Sequence, residues 1–473
     1  MQFSKNWLRE LVDIKVSTEE LCEQLTLLGL EVDNYKNYQS DLTGEDSVIK
    51  LDITPNRGDC FSLLGIAREL SAFYGSQLSY PNPIEVKQSI ESPLDVKVCK
   101  SAPSYIGRFI TKIDLNKKTP LLIKERLNLS GFRSIDPIVD ITNYVLLLLG
   151  QPLHAFDQDK LRGDLRVRFP KKGEKLTLLD EQKIQLDDDS LLITDEKKPV
   201  ALAGIMGGLE TSVSPDTESI FLESAFFKPG AIRGQARKFN LQTDASIRFE
   251  RGVDYQIQEL AIKVASQLIK KITGGKFGPT QKFINKSDLP KPKIISTKPS
   301  KINKTLGSNI SSSTIKRNLK SLGLKIITSK KGDEFKVQIP SWRFDLQIEA
   351  DLTEEVARTV GYDNLPIKDL KPRLVRPFDS LFESLRVNLI SLGYNEVITY
   401  SFIDQDDAGL TNKKNDFAFV TNPISTNMSV MRPSLFSGLI NTFSYNYNRG
   451  VKDQKIFEIG SVFIKKNKNI ISE

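Results

Sequence analysis

Between Gly204 and Arg251 the chain reads GIMGGLETSVSPDTESIFLESAFFKPGAIRGQARKFNLQTDASIRFERG, a stretch rich in groups that a plain core does not need. Gly207 and Gly208 form a glycine turn after an apolar run. Glu223 stands among Phe221, Leu222, Ala225 and Phe226. A carboxylate in that setting is either salt-bridged or reads a ligand hydroxyl, because a buried unpaired charge is costly. Arg233, Arg237, Lys238, Arg248 and Arg251 then surround Thr243, Asp244 and Ala245. Upstream, in GQPLHAF, stands His154, the only histidine of 473 residues. Together these residues suggest a pocket for an anionic ligand with a polar head. The competing reading is a β domain with polar lining and a basic face, in which His154 is a satisfied structural residue.

A second constellation lies at Asp345, Asp351, Glu354 and Glu355. The last three are spaced i, i+3, i+4, on one helical face. Carboxylates that converge without fixed cations repel one another, and a hard cation with oxygen ligands relieves this. The alternative is a helix N-terminus enriched in acids to complement its dipole.

The elements that must position these groups are legible in outline. Ser17 and Glu20 form an S-x-x-E capping pattern before Leu21, Leu25 and Leu28, and Gly29 ends that helix. A strand in SVIKLDIT leads to PNRGD and a helix from about Phe61 to Tyr74, stopped by Gly75. The same order returns later. Leu25, Leu28, Gly29 and Leu30 are answered by Leu319, Leu322, Gly323 and Leu324, and Arg57-x-Asp59 by Arg343-x-Asp345. Each copy then runs sixteen residues to a glycine, Gly75 and Gly361. One small α+β unit is therefore used twice, the second with a hairpin turn at SKKGDE and a winged-helix-like outline. The first copy has Gly65, Arg68 and Glu69 where the second has Asp351, Glu354 and Glu355, so the fold does not require the acidic set.

The expected organisation is α+β and multidomain. A small unit spans 1–85. A mixed domain of many short strands follows at 90–285, with a late helix in QIQELAIKVASQLIKKI. A Pro- and Lys-rich linker is expected at 286–304, the second small unit at 305–368, and a further domain at 377–473 that reads as incomplete. A hydrophobic content of 39% and a formal net charge of +8 permit RNA as a partner without requiring it. Three scattered cysteines outside any C-x-x-C point to a reducing cytoplasm and to neither disulfides nor a zinc site. No apolar run reaches membrane-spanning length, and the N-terminus lacks a secretion signal. There is no G-x-x-x-x-G-K-[ST] and no G-x-S-x-G, which sets aside Walker-type ATP binding and the hydrolase elbow.

These segments, in this order, resemble the β subunit of bacterial phenylalanyl-tRNA synthetases. The resemblance rests on LDITPNRGDC, VDITNYVLLLLGQPLHAFD, AGIMGG, LESAFF, RKFNLQTDASIRFERGVD, PSWRFDLQIEADLTEEVARTVGY and MRPSLFSGLINTFSYNYNRG, and covers essentially the whole chain. It implies a β subunit that supports ATP-dependent charging of tRNA-Phe by an α subunit in an α2β2 assembly. ATP would bind the α subunit. It also implies an editing pocket for mischarged Tyr-tRNA made of His154, Gly207, Glu223, Thr243 and Ala245, and Mg2+ ligands Asp345, Asp351, Glu354 and Glu355. The last domain looks like a catalytically silent class II synthetase-like antiparallel sheet, with MRPSLFSGL and IFEIGSVF at its motif-two strands. Two features depart from the family. Only about a dozen residues, Tyr35 to Asp46, stand where a tRNA-binding barrel is usually inserted. The anticodon-binding domain that usually follows is also missing. A freestanding aminoacyl-tRNA hydrolase and a nucleic-acid-binding scaffold are the rival readings.

Overall fold

The computed structural model describes residues 1–328, 333–367, 381–466 and 469–472. The chain divides into two units, 1–367 and 368–473.

In the first small unit of 1–367, Ser17 accepts from Glu20 N (3.1 Å) and caps the helix Thr18–Leu27. Leu21, Leu25 and Leu28 are buried on one face, as the spacing requires. Gly29 then turns the chain at φ +88°, a conformation that disfavours a side chain. The strands Glu31–Ser40 and Gly44–Asp52 pair as a long hairpin, with Gln2–Ser4 on the other edge of the second strand. Tyr35 to Asp46, the segment noted as too short for a domain, is the outer half of this hairpin. The helix Leu63–Tyr74 is capped by Ser62 and closed by Gly75 in the left-handed region.

The second small unit repeats the plan. Gly323 turns at φ +83°, and Leu319, Leu322 and Leu324 are buried like their counterparts. The helix Glu349–Val360 has twelve residues, as does Leu63–Tyr74. The strands Lys325–Thr328 and Phe335–Gln338 pair antiparallel. Most of the expected SKKGDE turn, at 329–332, lies outside the described residues.

The expected linker at 286–304 needs correction. Ile294–Thr297 is an edge strand against Phe335–Gln338, and Pro299–Leu306 is a helix. Pro299 is a helix-initiating residue there, pre-set in φ and with no N–H to waste. Residues 286–293, with Pro290 and Pro292, carry no regular element, whereas Pro299 starts an element of the second small unit.

The middle of this unit holds two sheets. One is antiparallel, in the order Gly274–Ile284, Ser104–Ile113, Ser219–Phe226, Leu153–Asp157. The other has five short strands, from Met206–Gly207 through Pro199–Leu202, Leu192–Thr194 and Leu165–Arg168 to Val96–Lys97. Helix Pro137–Leu149, which contains the apolar run VLLLL, is capped by Asp136 and packs with helix Gln258–Ile272 against the four-stranded sheet. Among the described residues no helix is long and apolar enough to cross a membrane.

The unit 368–473 has a small buried cluster of Ile403, Ala408, Phe417 and Val430. Val430–Met431 pairs antiparallel with both Phe402–Ile403 and Ala418–Phe419, while Asn395–Glu396 and Ile456–Phe457 pair in parallel. Arg432 of MRPSLFSGL and Glu458 of IFEIGSVF form a buried pair (2.5 Å), so these two stretches meet. The expected start of this domain, near 377, lies outside the described residues.

Candidate functional site

Strand Ser219–Phe226 is buried along its whole length between two neighbours. On one side it pairs with Leu153–Asp157 so that Glu223 stands opposite His154. Residues opposite in register point to the same face, so the carboxyl and the imidazole share one wall. The wall closes a cavity of about 180 Å3, lined also by Gly207, Ala245, Met206 and Phe249. A dry cavity of roughly 150 Å3 holds a benzene molecule, so this one accommodates a single aromatic ring.

Glu223 is not salt-bridged. Its Oε2 accepts from the Tyr105 hydroxyl at 2.7 Å, and no other hydrogen-bond partner occurs among the described residues. Burial pushes the Glu223 carboxyl up to about 8, against which the Tyr105 hydrogen bond pulls only weakly. It is therefore largely protonated at neutral pH and can donate as well as accept. His154 lies edge-on to Phe156, with ring centroids 4.4 Å apart. Part of the residue faces the cavity, yet its Nε2 is buried without a partner. Burial lowers its pKa to about 4, so the imidazole is neutral. An orphaned buried nitrogen in a cavity wall is what a bound water or ligand oxygen would satisfy.

Gly207 is set by close approach. A Cβ there would lie 2.3 Å from His154 Cε1, which no real side chain tolerates. Ala245 sits at the start of helix Asp244–Arg251. Thr243 is the one expected pocket residue that does not line the cavity. Its Oγ1 accepts from Ser246 N (3.0 Å) and donates to the Ile205 carbonyl (2.8 Å). It caps the helix and ties that end to the glycine turn, which brings Ala245 to the wall. Tyr105 is the residue that sequence reasoning missed. It is 118 positions from Glu223, on a different strand, and no local pattern marks it.

The expected metal set does not converge. Asp345 is held by Arg343 in a two-pronged pair (2.9 and 2.8 Å). Glu355 is buried between Arg343 (2.7 and 2.8 Å) and Arg358 (2.9 Å). Its pKa is held far below the usual range, because the two guanidinium groups outweigh burial. Asp351 Oδ2 accepts from Ile348 N (2.8 Å) and caps the helix, and Glu354 is exposed. The first small unit repeats half of this. Arg57 grips Asp59 (3.0 and 2.9 Å) and Glu69 (2.5 Å), the counterparts of Asp345 and Glu355. Arg358 also pairs with Glu69 and so joins the two units. Asp59, Cys60 and Glu69 are close enough to hold an ion, but the Arg57 guanidinium already contacts all three. Asp345 and Glu355 are thus engaged by guanidinium groups, whereas Asp351 and Glu354 have no guanidinium partner among the described residues.

The B3/4 domain family matches residues 101–274, which contain the whole cavity wall. The tRNA synthetase B5 domain matches 295–362, and the phenylalanyl tRNA synthetase beta chain CLM domain matches 363–473. The phenylalanine–tRNA ligase beta subunit of Coxiella burnetii is 43% identical over 434 residues, 90% of this chain and 54% of that protein. That of Pseudomonas fluorescens is 43% identical over 426 residues, 89% of this chain and 54% of the relative. A solved N-terminal fragment of the phenylalanyl-tRNA synthetase beta subunit from Pyrococcus horikoshii is 18% identical, with a TM-score of 0.41. It is covered to 99%, against 76% of this chain. The chain thus spans about half the length of the curated relatives it matches, and over about nine-tenths of its own length it is similar to phenylalanine–tRNA ligase β subunits.

Proposed function

We propose that the cavity beneath Glu223 is an editing site that hydrolyses tyrosine from mischarged tRNA-Phe. The observation that supports this most is a buried carboxyl, paired only to Tyr105, in a cavity the size of one aromatic ring. A site shaped for phenylalanine rejects an added hydroxyl by only about 10²-fold, whereas a site that hydrogen-bonds the hydroxyl discriminates by about 10⁴–10⁵. Here Glu223 meets the tyrosine hydroxyl, and a phenylalanine in the same place would leave the oxygen that Tyr105 does not hold unpaired. The ring lies against Gly207 and Ala245. His154 Nε2 holds the attacking water or the ester oxygen. Water adds to the ester carbonyl, the acyl–oxygen bond breaks, and the water's proton ends on the ribose oxygen.

Beyond this site, the chain supports ATP-dependent charging of tRNA-Phe by an α subunit that binds ATP, within a cytoplasmic α2β2 assembly. The domain order we assign is small unit, editing domain, second small unit and class II-like domain. For Mg2+ the proposal narrows to Asp351 and Glu354, one helical turn apart. That suits a cation that keeps several waters and takes one or two carboxylates. Glu223→Ala, measured in the chain assembled with its α subunit, should slow Tyr-tRNA deacylation at least about 100-fold. Phenylalanine charging should stay near the parental rate. Deacylation at the parental rate would place the site elsewhere. Failure to associate with any α subunit would favour a freestanding hydrolase.

A further inference from the structure

A second concavity, of about 400 Å3, is built from parts that the editing chemistry does not use. Its lining includes Asn56, Arg233, Arg237, Arg251 and Phe344, and also the carboxylates Glu250 and Asp345. The three arginines have unspent donors. Arg233 and Arg251 make only long contacts to backbone carbonyls (3.5 and 3.4 Å), and Arg237 has no partner among the described residues. Asp345 offers little charge, since Arg343 holds both its oxygens. Three guanidinium groups face Glu250, with Asp52 also near Arg251 and Asp345 sharing Arg343 with Glu355, so the concavity keeps a net positive charge. Arg251 is held in place by stacking on Phe61, 4.5 Å from the ring centroid. Phe344 comes from the second small unit and lies against Gly252, where a Cβ would be 2.5 Å from its ring. The concavity is complete only because the two small units and the editing domain meet there.

Guanidinium donors beside an aromatic ring are the chemistry that holds single-stranded nucleic acid, with cations on phosphates and a ring under a base. We propose that this concavity binds a nucleotide of single-stranded RNA, with Arg233, Arg237 and Arg251 on the phosphate oxygens and Phe344 against the base. The proposal rests on the editing reading for its choice of strand, namely the 3′ end that carries the ester. Helix Asp244–Arg251 links the two places. Ala245 is in the wall of the ester cavity and Arg251 in the wall of this one, about 9 Å further along the helix axis.

The test uses an uncharged, 5′-labelled single-stranded RNA ending in CCA, titrated against the full chain by fluorescence anisotropy over a range of salt concentrations. Arg233→Ala with Arg237→Ala should weaken binding at least about tenfold at low salt. Two lost phosphate contacts at about 0.7 each should make the slope of log K against log salt shallower by about 1.4. Both side chains are exposed, and an unchanged thermal melt would show that the fold is kept. Parental affinity and slope in the double variant would overturn the proposal. Retained RNA binding with lost association to an α subunit would also overturn it, and would make the concavity a protein-docking surface. The RNA is uncharged, so failure of the editing reading leaves this result standing.

Discussion

Replacing Glu223 by glutamine should change how stability depends on pH, and the sign and size follow from burial. The folded carboxyl titrates at about 8 and the unfolded one at 4.5. Between those values the folded state keeps a proton that the unfolded chain releases, so stability falls as pH rises through the window. The shift of 3.5 units, at 1.36 kcal/mol each, bounds the loss at about 5 kcal/mol. His154 works in the opposite sense. It titrates at about 4 when folded and 6.5 when unfolded, so its share of stability is lost as pH falls from 6.5 towards 4. In the parent these two contributions cancel between pH 4.5 and 6.5, and the Glu223 contribution declines from there to pH 8. Glu223→Gln removes the declining limb and exposes the histidine slope, so the variant loses stability on acidification through the window of cancellation. Urea unfolding of the two proteins in parallel at pH 5 to 9 reads the difference, which should grow by several kcal/mol. Tyr105→Phe removes the hydrogen bond that pulls Glu223 down and should carry the end of the declining limb to higher pH. Parallel pH curves for parent and Glu223→Gln would refute the claim that a neutral buried carboxyl faces the cavity.

Two further outcomes are expected. Arg358→Ala leaves Glu69 and Glu355 buried with one guanidinium fewer each. It should destabilise the chain by about 3–5 kcal/mol, read as a lower urea midpoint, and an unchanged midpoint would mean that the pairs contribute little. Glu354→Gln should abolish any Mg2+-dependent rise in melting temperature while leaving the melt without Mg2+ within about 0.5 kcal/mol of the parent, because the side chain is exposed. The same Mg2+ response in the variant would remove Glu354 from the ligand set.

Local patterns were readable where the physics is local. Ser17 accepting from Glu20 N, Gly29 and Gly75 in the left-handed region, and the matched leucines of the two small units all follow from spacing within one helical turn. Glu223 was legible as an anomaly, since a carboxylate inside an apolar strand needs a reason. What the reason is depends on Tyr105, brought across by strand pairing that no spacing encodes. Pro299 misled because proline starts helices as readily as it stiffens linkers. Thr243 shows a second ambiguity of local pattern. A threonine just ahead of a helix can cap it or face a ligand, and here the capping hydrogen bonds take its oxygen.

The acidic set shows most clearly how a repeat should be read. Comparing the copies by residue type sets Gly65 and Arg68 against Asp351 and Glu354, and suggests that the second copy gained a cluster. Comparing them by partner gives a different answer. Glu69 and Glu355 each lie twelve residues after an arginine that also grips an aspartate two positions on, so both copies carry the same Arg–Asp–Glu knot. Arg358 has no counterpart, since Ala72 occupies the equivalent place, and its guanidinium spans both knots. Four buried or nearly buried carboxylates thus share three guanidinium groups. Asp59 is held down to about 2 by Arg57 against the opposing effect of burial. Such a knot gains little over apolar packing in stability, but it penalises any docking that leaves one charge unmatched. The asymmetry introduced by Arg358 therefore fixes which faces of two similar units meet. The positive concavity beside Phe344 exists because they meet in that way.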